Sequence, residues 1–274
     1  MTILQGIILG VIQGATEFIP VSSSGHLVLA PWLLGWQFEP EAAFAFDVLV
    51  QMGTLLAVIA YFWRDLREIA LAMAAGLLQG KPLEESRARL GWLILAATAP
   101  AGVIGLVFKD FFERNFGDPA QAAIQLLVTA ALLAASEWMV GRAPRQEDPR
   151  LSDAIAIGFW QALSILPGIS RSGATIAGGL TRGLRREAAA RFSFLMSIPV
   201  MLGAGGLAFK DLVQDGGLSS LLPALIAGFL AAAVVGFATI AWLQRYLRAH
   251  PLYVFAAYCA AFGVACLLVA LLRG

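Results

Sequence analysis

The sequence predicts an all-α integral membrane protein of about six transmembrane helices and two re-entrant helix pairs, arranged as an inverted-topology repeat. Three observations lead there. Of the 274 residues, 59% are hydrophobic and 14% charged, where a soluble domain carries roughly 25% charged residues. The apolar residues extend over most of the chain, so they cannot form one anchor or one buried strand. Two of the apolar stretches are interrupted by polar, turn-forming clusters that resemble each other. The formal net charge of +1 excludes a charge-driven nucleic-acid surface, and no nucleic-acid partner is expected.

The first interrupted stretch is 3–34. Met1-Thr2-Ile3-Leu4 lacks a basic n-region, and the apolar run is broken at Glu17 and Pro20. It does not fit a signal peptide and is expected to remain in the mature protein. Ser22, Ser23, Ser24, Gly25 and His26 follow before apolar character resumes. Spans are predicted at 43–62, 92–108 and 121–138, then at 188–208, 221–242 and 252–272, each close to the ~20 residues a hydrocarbon core requires. Their alanines and glycines suit close packing between helices. Cys259 and Cys266, inside the last span, read as small buried residues rather than a disulfide. The second interrupted stretch, 153–182, carries Pro167, Gly168, Ser170, Arg171, Ser172 and Gly173. Each half-run is too short to span. Non-helical backbone survives at membrane depth only inside a bundle or against a watery cavity, so both stretches read as helix pairs that enter and leave on one side.

Basic residues orient this layout. With the loop at 64–89 cytoplasmic, fourteen of the nineteen Lys and Arg fall inside. Only Lys109, Arg114, Lys210 and Arg273 fall outside, leaving Arg171 at the second break. The bias satisfies the positive-inside rule and turns both termini outward. Arg182, Arg185 and Arg186 read as a cytoplasmic anchor, and His250 as a solvated loop residue.

The two broken stretches align at an offset of about 148. Gly10-Val-Ile-Gln13 matches Gly158-Phe-Trp-Gln161, and Ser22, Ser24 and Gly25 match Ser170, Ser172 and Gly173. In the layout above they enter from opposite sides, as in transporters whose broken helices build a site near the bilayer midplane. The chain is thus expected to be a single membrane domain, 1–274. Its halves would be approximately 1–120 and 150–274, joined by a cytoplasmic connection near 139–152.

The chemistry concentrates at the breaks. Glu17 shares a helical face with Gln13, and a carboxylate at membrane depth is a functional candidate by default. Ser22 to Ser24 beside His26 offer a nucleophile, a general acid or base, and oxygen ligands. In 167–175, glycines allow a tight turn, while Ser170, Ser172 and Thr175 carry hydroxyls. A new helix starts there, offering free N–H groups to an anion. Arg171 adds a donor fork matched to phosphate oxygens. Asp47 and Glu137, near span ends, read as interfacial. Phosphate or pyrophosphate chemistry on a membrane-borne substrate fits this inventory, and so does anion translocation.

Two segments, Gln13-Gly-Ala-Thr-Glu17-Phe-Ile-Pro-Val-Ser22-Ser-Ser-Gly-His26-Leu and Pro167-Gly-Ile-Ser-Arg-Ser-Gly-Ala-Thr175, resemble the two signatures of the undecaprenyl pyrophosphate phosphatase family, the BacA type associated with bacitracin resistance. The resemblance covers nearly the whole chain. It implies hydrolysis of undecaprenyl diphosphate to the monophosphate and inorganic phosphate, with recycling of the cell-wall lipid carrier. It also implies the bacterial plasma membrane, a site opening toward the periplasm, a homodimer and a divalent cation, Mg or Ca. The signature residues fall on Glu17, Ser23 and His26, and on Ser170, Arg171 and Thr175. The family accepts Glu or Gln at position 13, and Gln here leaves one carboxylate in the motif. On this reading Arg171, with Ser170, Ser172, Gly173 and Thr175, grips the diphosphate, and Glu17 with Gln13 holds the metal. Ser23, His26 or a water activated by His26 attacks, with Ser23 paired to His26 favoured. A lipid-carrier or phosphate-anion transporter using the same site is the alternative.

Overall fold

The computed structural model describes residues 1–108, 117–140, 146–166, 168–214 and 221–273. Pro167, Lys109, Arg114, Arg142 and Arg145, used in the sequence reading, lie outside them. Eleven helices account for most of the described residues: α1 (Ile3–Thr16), α2 (Ser23–Leu34), α3 (Pro40–Tyr61), α4 (Trp63–Leu78), α5 (Ser86–Val107), α6 (Pro119–Val140), α7 (Leu151–Leu163), α8 (Arg171–Thr181), α9 (Arg186–Gln214), α10 (Leu222–Tyr246) and α11 (Tyr253–Arg273).

Among the described residues, five stretches, within α3, α5, α6, α10 and α11, are long and apolar enough to cross a membrane. They cover five of the six predicted spans. The sixth, 188–208, lies inside α9, whose 29 residues reach well beyond the ~30 Å hydrocarbon thickness at 1.5 Å per residue. Ser193 and Ser197 of α9 are wholly buried, so these polar residues face the bundle. The protein is a multi-pass α-helical membrane protein. One expectation needs correcting: 64–89 is not simply a loop. Trp63–Leu78 is an amphipathic helix that buries Ile69, Ala72 and Gly76 and leaves Trp63, Leu71 and Leu78 exposed.

Both interrupted stretches are pairs of short helices, α1 with α2 and α7 with α8, of 11 to 14 residues each. Local chemistry sets their ends. Thr2 and Gln5 form a reciprocal capping box at the start of α1. Ser22 caps α2 through Gly25 N at 3.2 Å, and Ser170 caps α8 through Gly173 N at 3.0 Å. Gly35, at φ 68°, closes α2 in the left-handed region that glycine tolerates.

Packing is alike at the two interrupted stretches. α1 lies on α10, and α7 lies on α5. Gly6, Gly10 and Gly14 form one stripe of α1, and a Cβ at any of them would collide with backbone at Ala224, Gly228 or Ala232 and Gly236 of α10. Gly158, the counterpart of Gly10, meets the Ala97 carbonyl and Pro100 of α5 in the same way. Without a hydrophobic drive between helices in lipid, such small-residue faces gain stability from close backbone approach.

The arginines read as a cytoplasmic anchor also form ion pairs within the protein. Arg182 meets buried Asp153 at 2.8 Å, and Arg185 meets Glu147 at 2.7 Å. Arg186 forms a bidentate pair with Glu137. Glu137, near the end of α6, is buried against its neighbours and also accepts the Leu252 N–H at 2.8 Å. Cys259 and Cys266 are free and buried.

Gly10→Ala should cost about 1–3 kcal/mol by overpacking the α1–α10 contact. Gly206→Ala, with nothing within 4 Å of the added carbon, should stay within about 0.5 kcal/mol. Unfolding midpoints in detergent compare the two, and equal losses would refute the close-packing account.

Candidate active site

The two breaks meet inside the bundle. Ser24 Oγ accepts the Gly168 N–H at 3.4 Å, and Ser172 donates to the Ile19 carbonyl at 3.2 Å. A Cβ on Gly25 would stand 3.3 Å from Gly168 Cα, a tight fit that the bare glycine avoids. Each turn is also held by a long helix. Thr129 of α6 accepts the Ser170 N–H at 3.0 Å and donates to the Gly168 carbonyl at 3.2 Å. Cys259 of α11 reaches the Pro20 carbonyl at 3.8 Å. Phe18, wholly buried, packs edge-on against Phe194 of α9 and pins the first turn next to Glu17.

Glu17 caps the end of α1. Its Oε1 accepts from Arg171 Nη2 at 2.7 Å, while Oε2 accepts from Ser23 Oγ at 2.6 Å and Gln13 Nε2 at 3.0 Å. Charge-assisted bonds of this length are the strong ones. Ser23 and Arg171 occupy equivalent positions, each the first residue of the second helix in its pair. The repeat thus puts a hydroxyl and a guanidinium on opposite sides of one carboxylate.

His26 lies elsewhere in the hydrogen-bond network than expected. Its Nδ1 is 2.7 Å from the Ser22 carbonyl, which can only accept, so Nδ1 carries the proton. Nε2 is 2.7 Å from the Tyr258 hydroxyl, and the ring stacks on Phe262. Ser23 donates to Glu17, so the expected Ser23–His26 pairing is replaced by Ser23–Glu17. His26 instead braces Ser22, whose φ of 70° and ψ of 94° put a residue with a side chain into a sparsely populated region. Strain of that kind gathers at functional sites.

Glu17, Ser22, Ser23, Ser24, Ser170 and Arg171 line one end of a cavity of about 590 Å³. Its remaining wall is largely apolar, from Ala101, Gly105 and Leu106 of α5 and Pro199, Val200 and Met201 of α9. Of the expected phosphate ligands, Ser170 and Arg171 reach this cavity. Ser172, Gly173 and Thr175 are buried, and their polar groups bond within the protein. Thr175, for example, meets Ser193 Oγ at 2.6 Å. Asp47 is not among the lining residues. Sequence reasoning missed Thr129, Tyr258 and Gln161; only the Gln13–Gln161 match carried a signal for one of them.

Among the described residues no cluster of three His, Cys, Asp or Glu occurs. Gln13 Oε1, however, is buried without a hydrogen-bond partner there. Gln13 faces Glu17 with Nε2; turning the amide over would bring this oxygen beside the Glu17 carboxylate as an all-oxygen pair suited to a hard divalent ion. Arg171 Nη1 is likewise buried and unpartnered.

The profile of the family described as bacitracin resistance protein BacA matches residues 6–265. A protein of Thermomicrobium roseum named undecaprenyl-diphosphatase is 40% identical, covering 98% of each chain. One of the same name from Moorella thermoacetica is 44% identical over 94% of each. Another, from Myxococcus xanthus, is 42% identical over all of this chain and 90% of its own.

Arg171→Met should cost about 3–5 kcal/mol by stranding the Glu17 charge, and adding Glu17→Gln should recover part of that loss. A double-mutant cycle on unfolding in detergent measures the coupling. Additive losses would show that the pair is not coupled.

Proposed function

Because the chain belongs to the bacitracin resistance protein BacA family, we propose that it hydrolyses undecaprenyl diphosphate to undecaprenyl phosphate and inorganic phosphate, as an integral membrane enzyme. One observation carries this reading: a single cavity joins the Glu17–Ser23–Arg171 cluster to an apolar wall between α5 and α9. A diphosphate on a long apolar chain has those two ends. Inverted halves near 1–120 and 150–274, with the site opening outward, are favoured by the repeated packing and the basic-residue bias.

Arg171 moves from Glu17 onto the terminal phosphate as substrate enters, because its Nη1 has no other partner and phosphate takes the guanidinium fork bidentately. That movement leaves Glu17 Oε1 without its donor, while Oε2 keeps its contact with Ser23. Ser23 Oγ attacks the terminal phosphorus, its proton passes to Glu17, and the bond to the bridging oxygen breaks with undecaprenyl phosphate leaving. Water then attacks the phosphoserine, releasing inorganic phosphate and restoring the Ser23 hydroxyl. Arg171 and the start of α8 stabilise charge on the transferred group in both steps. His26 holds the Ser22–Ser24 turn that aims Ser23. Glu17 and Gln13 would hold a divalent cation, which when bound neutralises phosphate charge.

Purified protein in detergent should release phosphate from undecaprenyl diphosphate, and a chelator should suppress the release. Arg171→Ala should lower turnover at least about 10³-fold; retained turnover would refute the clamp. Rapid quenching should trap a phosphoenzyme that is absent in Ser23→Ala and retained at reduced rate in His26→Ala. The opposite pattern would make His26 the nucleophile.

A further inference from the structure

Gln161 is left over by this mechanism. It sits in the last turn of α7, is 2% exposed, and lines the cavity, yet neither its Nε2 nor its Oε1 has a hydrogen-bond partner among the described residues. Buried amides are normally satisfied, so an unpartnered amide in the wall of a cavity is a place for a ligand to complete. Comparison with the first break shows what differs around it. Its counterpart Gln13 donates to Glu17 at 3.0 Å, but the position matching Glu17 in the second half is Ile165. A carboxylate therefore stands beside only one of the two glutamines.

The surroundings indicate what it would take. Ser164 donates to the Gln161 carbonyl at 2.6 Å, closing α7 at this residue. Three residues earlier, Gly158 is pressed against Ala97 and Pro100 of α5. Gln161 therefore stands on the α5 side, where the apolar wall begins, whereas Glu17, Ser23 and Arg171 occupy the meeting of the two breaks. A diphosphate whose terminal phosphorus lies at Ser23 extends its inner phosphate toward the tail, and so toward this wall.

We propose that Gln161 is a substrate-binding residue whose Nε2 donates to an oxygen of the inner phosphate, the one that stays on the lipid. This rests on the diphosphatase reading above. The amide is neutral, so it orients the inner phosphate without competing with Arg171 for the terminal one. It also selects substrates that carry a second phosphate between the reacting phosphorus and the apolar chain.

Gln161→Met keeps the volume and removes both polar atoms; Gln161→Glu keeps an acceptor and adds a charge that repels phosphate. Both are assayed as full-length protein in detergent. For Gln161→Met, KM for undecaprenyl diphosphate and the inhibition constant of undecaprenyl monophosphate should each rise about tenfold, the scale of one lost hydrogen bond to a charged group. Turnover number and inhibition by inorganic phosphate should change less than about threefold, and the unfolding midpoint should not fall. Gln161→Glu should weaken monophosphate inhibition further than Gln161→Met. Monophosphate inhibition unchanged within twofold in both folded variants would overturn the proposal. Equal weakening toward inorganic phosphate would overturn the assignment to the inner phosphate. A wild-type protein that releases no phosphate would overturn the diphosphatase reading instead, while its monophosphate binding could still be measured directly.

Discussion

A carboxylate and a guanidinium at the depth of a membrane protein's interior are each costly alone, and Glu17 and Arg171 share that cost through one 2.7 Å contact. The two residues are 154 positions apart, so the contact exists only if both interrupted stretches reach the same place. That requirement shapes much of the structure. The helices on either side of each break must be short, the turns must interdigitate, and the long helices must hold the turns from outside. Thr129, Cys259 and Phe194 supply that hold from three different helices.

The same constraint explains the placement of small residues. Short helices cannot anchor themselves by spanning the bilayer, so α1 and α7 depend on close contact with α10 and α5. The stripe Gly6, Gly10 and Gly14, and its counterpart Gly158, bring backbones together where any side chain would intrude. Away from the site, Arg186–Glu137 and Arg182–Asp153 lock helix ends, and the carboxylates in both pairs are nearly inaccessible. A buried pair contributes less net stability than its contacts suggest, but losing one partner is severe.

Symmetry and its breaking divide the labour at the cavity. Ser22 and Ser170 are equivalent caps, and Ser23 and Arg171 are equivalent first helical residues. Their chemistry differs, so two similar turns present a hydroxyl and a cation to one carboxylate. The hydroxyls and glycine of 172–175 looked like a phosphate cradle, but they are consumed in building the turn. Only residues facing the cavity remain open to a ligand. Gln13 and Gln161 diverge in the same way, one bound to Glu17 and the other open.

Composition, run length and the spacing of the breaks by themselves determined a membrane-embedded helical protein with long apolar helices, and pointed to Glu17, Ser23, Ser170 and Arg171, which line one cavity. Those features are legible because lipid imposes a length on every span and a heavy penalty on every exposed polar group, so departures stand out in one dimension. Tertiary structure alone decided that Ser23 bonds to Glu17 rather than His26, since the direction of a histidine ring depends on Tyr258 and Phe262, more than 200 residues away. It also decided that α4 is a helix, because its amphipathic face has meaning only against α5. And it decided which of two matched glutamines is free, because hydrogen-bond satisfaction belongs to neighbours in space and not to positions in a motif.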